Sequence, residues 1–206
     1  MKTPREREPE SMKIVAIMGS PREGGNSDVM LNAFLSSRDS RHHLEWIVPS
    51  RLNLGFCRGC RFCEAMGRCI LRDDMDGVGN KLLEADKVVL SSPIFFYGFP
   101  ASLKALIDRT QVFWSRKYKM GEKFKYKEGF LLAVGATRGE KLFEGIVLTT
   151  RYFFDAWGCE YKGGLFFRGF DQKGAIGECQ KCLEEIKEAG KSFLRSEDVT
   201  APTEPS

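Results

Sequence analysis

No apolar run in this 206-residue chain approaches the length of a membrane span, which excludes a helical membrane protein and implies a soluble one. Met1 to Met12 is charged, carries two prolines and lacks the apolar middle of a secretion signal, so the chain is expected to stay in the cytoplasm. The glycine-rich loop at 19–27 lacks the Lys-Ser/Thr pair of a nucleotide-triphosphate loop, which removes the expectation of triphosphate hydrolysis. Gly-x-Gly-x-x-Gly is also missing, so no dinucleotide fingerprint applies. There is no internal repeat and no second domain. A general polycation character is absent too. Ser115 to Glu128 holds Arg116, Lys117, Lys119, Lys123, Lys125 and Lys127 against Glu122 and Glu128. Removing these from the totals of 32 basic and 28 acidic residues leaves 26 of each, which argues against nucleic acid.

What is present is a 42% hydrophobic chain whose apolar segments alternate with helical patterns. Ile14 to Gly19, Lys87 to Ser91, Gly129 to Val134 and Cys159 to Phe167 read as strands, the last bent at Gly163-Gly164. Leu44 to Val48 is a shorter one. Nearly continuous apolar strands signal a sheet buried on both faces. Helices are expected from about Ser27 to Leu35 with Asn26 or Ser27 as cap, from Asp73 or Asp74 to about Leu83, and from Pro100 through Leu103, Leu106, Ile107 and Thr110. Two more run from about Glu140 to Trp157 and from about Gly177 to Leu194. The fold class is α/β: a doubly wound, five-stranded parallel sheet in three layers. One domain spans 13–195, between tails at 1–12 and 196–206 that read as disordered. The basic segment at 115–128 reads as a solvated, mobile excursion, with docking of an acidic ferredoxin as the alternative.

In such sheets ligands bind beyond the carboxyl ends of the strands. Three loops fall there. The first, Gly19 to Ser27, offers Ser20, Arg22, Gly25, Asn26 and Ser27 ahead of a helix start whose free N–H groups favour an anion. An ordinary capped turn is the competing reading. The second, Pro93-Ile94-Phe95-Phe96-Tyr97-Gly98, is unusually aromatic. The third, Gly135-Ala136-Thr137-Arg138-Gly139, lets a planar ligand touch backbone. A phosphate cradle, an aromatic wall and a glycine-rich floor describe a pocket for flavin mononucleotide (FMN).

The loop after the second strand carries Cys57, Cys60, Cys63 and Cys69. Four thiols within thirteen residues can converge on a metal, and sulfur selects zinc or an iron–sulfur cluster. Structural zinc more often draws its ligands from two separated pairs, and reactive free thiols are the remaining alternative. Seven cysteines in a reducing compartment read as ligands, redox groups or buried thiols before disulfides. Cys179 and Cys182 share a helical stripe with Leu183, Ile186 and Phe193 and read as core. Cys159 reads as a buried filler. His42 and His43 read as solvated, Asp73 and Asp74 as helix caps, and Asp108-Arg109 as a structural or subunit-contact ion pair.

Gly-Ser-Pro-Arg-x-x-Gly-Asn-Ser at 19–27, Asp-Asp-Met at 73–75, Ser-Pro-Ile-Phe-Phe-Tyr-Gly at 92–98 and Leu-Lys-Ala-Leu-Ile-Asp-Arg at 103–109 together resemble the flavodoxin-like NAD(P)H-dependent FMN reductases. The cysteine spacing resembles the iron–sulfur flavoprotein branch. The resemblance implies a flavodoxin-like sheet of strand order 2-1-3-4-5 and a flavin-dependent oxidoreductase with FMN in the three loops and a [4Fe–4S] cluster on the four cysteines. It further implies NAD(P)H or a ferredoxin-type electron donor and a homodimer or homotetramer. An NAD(P)H-dependent FMN or quinone reductase without a cluster, and a flavodoxin-like carrier with no substrate of its own, are the alternatives. No catalytic side chain is expected, because the cofactor carries the chemistry.

Overall fold

In a computed structural model, residues 11–195 are described; most of the two predicted tails lies outside them. Five strands, β1 (Lys13–Met18), β2 (His43–Ile47), β3 (Lys87–Pro93), β4 (Lys127–Gly135) and β5 (Cys159–Arg168), form one sheet of order 2-1-3-4-5. Every pairing is parallel. The helices are α1 (Asn26–Leu35), α2 (Phe62–Met66), α3 (Met75–Glu84), α4 (Ala101–Arg109), α5 (Gln111–Tyr118), α6 (Glu144–Asp155) and α7 (Gln180–Phe193).

The apolar runs of the central strands follow from this arrangement. Alternate residues point to opposite faces of a strand. Val15, Ile17, Val88, Leu90, Leu131 and Ala133 therefore meet α3, α4 and α6, whereas Ile14, Ala16, Met18, Val89, Leu132 and Val134 meet α1 and α7. Both faces are dry, so neither set can be polar. β4 and β5 change register where Gly129 faces Tyr161 but Leu131 faces Gly164, which inserts one extra residue into β5. Gly163 takes that position at φ 123°, so the predicted bend is a β-bulge.

Several expectations are corrected. α1 is capped by Gly25, not by Asn26 or Ser27, because both of those are already helical. His42 is 5% exposed, and its Nδ1 accepts from Met12 N at 3.3 Å; only His43 is solvated. The basic segment is solvated at Lys119, Lys123 and Lys125, as expected, and ion pairs tie it to the rest of the molecule. α5 covers its start, Lys117 pairs with Asp155 at 2.7 Å, Lys125 pairs with Asp86 and Arg116 with Glu122, while Lys127 is fully buried at the head of β4. Cys179 and Cys182 are half-buried and joined as a disulfide at the start of α7, where a dry core thiol had been expected. Cys159 is the buried filler anticipated, 4% exposed. No helix among the described residues is long and apolar enough to cross a membrane.

Candidate functional site

Parallel pairing puts the ends of β1, β3 and β4 at one edge, and the three predicted loops with them. At Gly19 a Cβ would stand 2.6 Å from Leu103 Cδ2 and 3.0 Å from Ser91 O, so glycine is what allows β1, β3 and α4 to meet. Buried Ser20 accepts from Arg22 N through Oγ at 3.1 Å, curling the loop back. Gly24 turns it at φ 62° and donates to Asp28 Oδ2 at 2.8 Å. Ser27 is buried under the first turn of α1, its carbonyl accepting from Ser91 Oγ at 2.7 Å. Asn26 turns elsewhere. Its Nδ2 donates to Phe170 O at 3.2 Å and Gln172 O at 2.9 Å, and its Oδ1 accepts from Ile176 N at 3.1 Å. This side chain therefore straps the segment after β5 across the start of α1. The strap brings Lys173 against Gly24, 3.7 Å from Nζ to the position a Cβ would take. No local signal in the sequence connects residue 173 with residue 24.

The loop after β3 is a tight turn: Phe95 N donates to Gly98 O at 3.0 Å and Gly98 N to Phe95 O at 2.9 Å. Its central residues, Phe96 (φ 49°) and Tyr97 (φ 60°), are both left-handed. That turn geometry favours Asn and Gly, and two bulky aromatics there carry backbone strain. Phe96 is nevertheless fully exposed and Tyr97 half exposed. Exposed aromatic surface held at a strained turn suits a flat ligand. Pro93 and Ile94 are half-buried at the base, where Ile94 N donates to Val134 O at 3.0 Å.

The loop after β4 faces this turn. A Cβ on Gly139 would meet Tyr97 Oη at 2.4 Å, and one on Gly135 would meet Leu142 Cδ2 at 2.6 Å. Ala136, Thr137 and Arg138 are exposed, and Arg138 lies over Gly169. The residues fit an FMN site: close backbone approach, exposed aromatic faces, and a curled loop ending on a helix N-terminus.

The cysteine loop is built differently. Arg109, at the end of α4, donates through Nη1 to Gly55 O at 2.8 Å and forms a two-pronged pair with Asp73 at 2.6 and 3.0 Å. Asp73 also accepts from Gly55 N at 2.8 Å. One buried ion pair thus fastens both ends of the 55–73 loop, and Arg109 pairs with Asp73 while its neighbour Asp108 pairs with Lys104. Burial opposes both charges, but their mutual hydrogen bonds prevail: Arg109 is raised and Asp73 lowered from the ordinary values. Arg109 Nε is buried with no partner. Within the loop, Gly59 and Arg61 are left-handed, α2 follows, and left-handed Gly67 ends it. Ser115 Oγ donates to Cys63 O at 3.1 Å, docking α2 on α5.

Cys57, Cys60, Cys63 and Cys69 all line one cavity of about 490 Å³, together with Arg58, Arg61 and Arg109. Cys57 and Cys60 are exposed, Cys63 and Cys69 half-buried, and burial raises the Cys63 thiol above its ordinary value. Among the described residues no three His, Cys, Asp or Glu side chains converge closely enough to hold a metal ion. Four sulfurs on one zinc would stand only ~3.8 Å apart. The four thiols therefore line one cavity without converging on a single point. The cavity abuts Arg109 and Gln111, at the C-terminal end of α4.

Among known proteins, an iron–sulfur flavoprotein of Methanocaldococcus jannaschii is 37% identical over 62% of this chain and 64% of its own. One from Archaeoglobus fulgidus is 35% identical over 64% of this chain and 59% of its own. The chain thus spans about three fifths of the length of these relatives. A Bacillus anthracis azoreductase shares the fold, with a TM-score of 0.67 at 20% identity over 88% of this chain and all of that one. The NADPH-dependent FMN reductase family matches residues 12–143, which contain the phosphate-type loop, the cysteine loop, the aromatic turn and the glycine-rich floor. The chain belongs to that family.

Proposed function

We propose that the protein is an FMN-dependent oxidoreductase that passes electrons between an iron–sulfur cluster held by Cys57, Cys60, Cys63 and Cys69 and the flavin. The observation that carries the flavin half is the strained, exposed Phe96-Tyr97 turn lying against Gly139, opposite a curled loop that ends on α1. When bound, FMN would exchange one or two electrons, and a [4Fe–4S] cluster one at a time.

The chain's own part is to bind, orient and exclude water. Ser20, Arg22, Gly25 and Ser27, with the first turn of α1, would hold the phosphate, and Lys173 adds a cation that local reading missed. Asn26 acts as the strap behind that loop. Pro93 to Gly98 would form the wall against the ring system, and Gly135 to Gly139 the floor. Arg109 and the loop arginines would offset the charge of an anionic cluster, and the unpartnered Nε of Arg109 marks the place for an acceptor. A ferredoxin-type protein or NAD(P)H would deliver electrons, and a homodimer or homotetramer would bring one chain's cysteine cavity toward another's flavin.

The spread of the four thiols along a cavity wall favours a second reading, an NAD(P)H-dependent reductase without a cluster. A visible spectrum with iron and acid-labile sulfide assays on protein purified without oxygen separates the two. Flavin bands with broad brown absorbance and about four irons per chain support the first reading. A clean yellow spectrum without iron supports the second, and colourless protein that does not take up added FMN rejects both.

A further inference from the structure

Cys179 and Cys182 lie outside the site described above, yet one chain of contacts joins them to it. Cys179 is the residue ahead of α7, its Sγ accepting from Cys182 N at 3.3 Å. Their Cα atoms are 5.2 Å apart, within the ordinary span of a disulfide. Both are half-buried and flanked by exposed Gln180 and Lys181, so small thiols can reach them. A sulfur at a helix N-terminus that also receives a backbone N–H is favoured as thiolate, the form that exchanges with disulfides. Immediately before Cys179 a 3₁₀ turn, Ala175–Glu178, rests on α1, with Gly177 against Val29. Phe170 and Gln172, ahead of that turn, and Ile176 within it are the three backbone partners of Asn26. The cysteine pair therefore anchors the far end of the strap that crosses the start of α1.

We propose that Cys179 and Cys182 form a redox-active dithiol–disulfide pair, oxidised by a low-molecular-weight disulfide, whose oxidised state holds the 170–178 strap against the 20–27 loop. In the forward step Cys179 thiolate attacks one sulfur of the small disulfide and releases one small thiol. Cys182 then attacks Cys179 in the mixed disulfide and releases the second. One small disulfide is reduced to two thiols, the protein dithiol becomes a disulfide, and no electron passes through flavin or metal. Loss of the bond frees the strap, loosening the loop that Asn26 and Lys173 buttress. The consequence for cofactor retention rests on the flavin reading, whereas the pair and its strap do not.

The test equilibrates the whole purified protein across a series of glutathione–glutathione disulfide ratios. Each sample is split between thiol alkylation with peptide mass mapping and amide hydrogen exchange. Peptide mapping keeps 179–182 distinct from the 57–69 thiols, and neither readout needs bound FMN. The expected result is a two-electron transition at 179–182, with exchange in 22–30 and 170–178 on the order of tenfold faster in the dithiol state. Cys179→Ser retains a good helix cap; it should exchange like the dithiol form at every ratio. A pair that stays in one state across the series overturns the proposal, as does a transition that leaves exchange at 22–30 unchanged. Failure to bind FMN in either state would overturn the flavin reading alone.

Discussion

Two residues show how burial governs charge here. The Arg109–Asp73 pair has side chains 1% and 8% exposed, respectively. Removing one member leaves the other charge buried without compensation, so Asp73→Ala should destabilise by about 3–5 kcal/mol in urea unfolding. Burial raises the Asp73 pKa, but the hydrogen bonds from Arg109, Gly55 and Met75 lower it further, to a net value below 3.8. A depressed folded pKa contributes stability that is present above the unfolded value and lost as pH falls through the folded one. Asp73→Asn, which cannot ionise, should show a shallower loss of stability below pH ~4 than the parent protein. Lys127 is the opposite case. Burial lowers it from 10.5 to about 8. Between those values the unfolded chain holds a proton that the folded one has released, so stability should rise with pH in that window. Relative to Lys127→Met, the rise from pH 8 to 10.5 is on the order of 3 kcal/mol. Parallel pH curves for the two proteins would refute this assignment.

At the scale of elements, the sheet layers depend on a few close approaches. α7 crosses α1 at Gly190, where a Cβ would stand 2.2 Å from Phe34 O and 2.9 Å from Phe34 C. Alanine in a helix interior ordinarily gains ~1 kcal/mol over glycine. Here the obstacle is backbone, which cannot rotate aside, so Gly190→Ala should instead lose about 1–3 kcal/mol by chemical denaturation. The strands and longer helices were legible because a sheet dry on both faces demands uninterrupted apolar runs, and helices demand stripes at their own period. α5 and the ion pairs of the basic segment were not legible, because their support is remote. Lys117 finds Asp155 and Lys125 finds Asp86, partners no local pattern announces. The 179–182 pair was misassigned for a related reason: its helical spacing matched the core stripe, but its position at the very start of α7 leaves it half in solvent.

At the scale of the whole molecule, the cysteine loop and the three loops at the sheet edge are held by different residues. The cysteine loop is held by Arg109 and Ser115, and the flavin loops by β1, β3, β4 and the strap. On the cluster reading proposed above, a Cys60→Ser/Cys63→Ser protein should lose iron while retaining FMN, with the unfolding midpoint lowered by less than about 1 kcal/mol equivalent. Parallel loss of iron and flavin would show that the centres are structurally interdependent.

The sequence by itself determined the layered α/β fold, the edge that carries the three ligand loops and the gathering of four thiols in one loop. Each of these is written in periodicity or spacing along a short stretch of chain. Tertiary structure alone decided that Asn26 serves as a strap, that Lys173 joins the phosphate-type loop, that Arg109 closes the cysteine loop on Asp73, and that Phe96 and Tyr97 are held in a strained turn. Those outcomes depend on which distant backbone groups meet once both faces of the sheet are covered, and a buried polar group takes whichever partner the packing brings within reach.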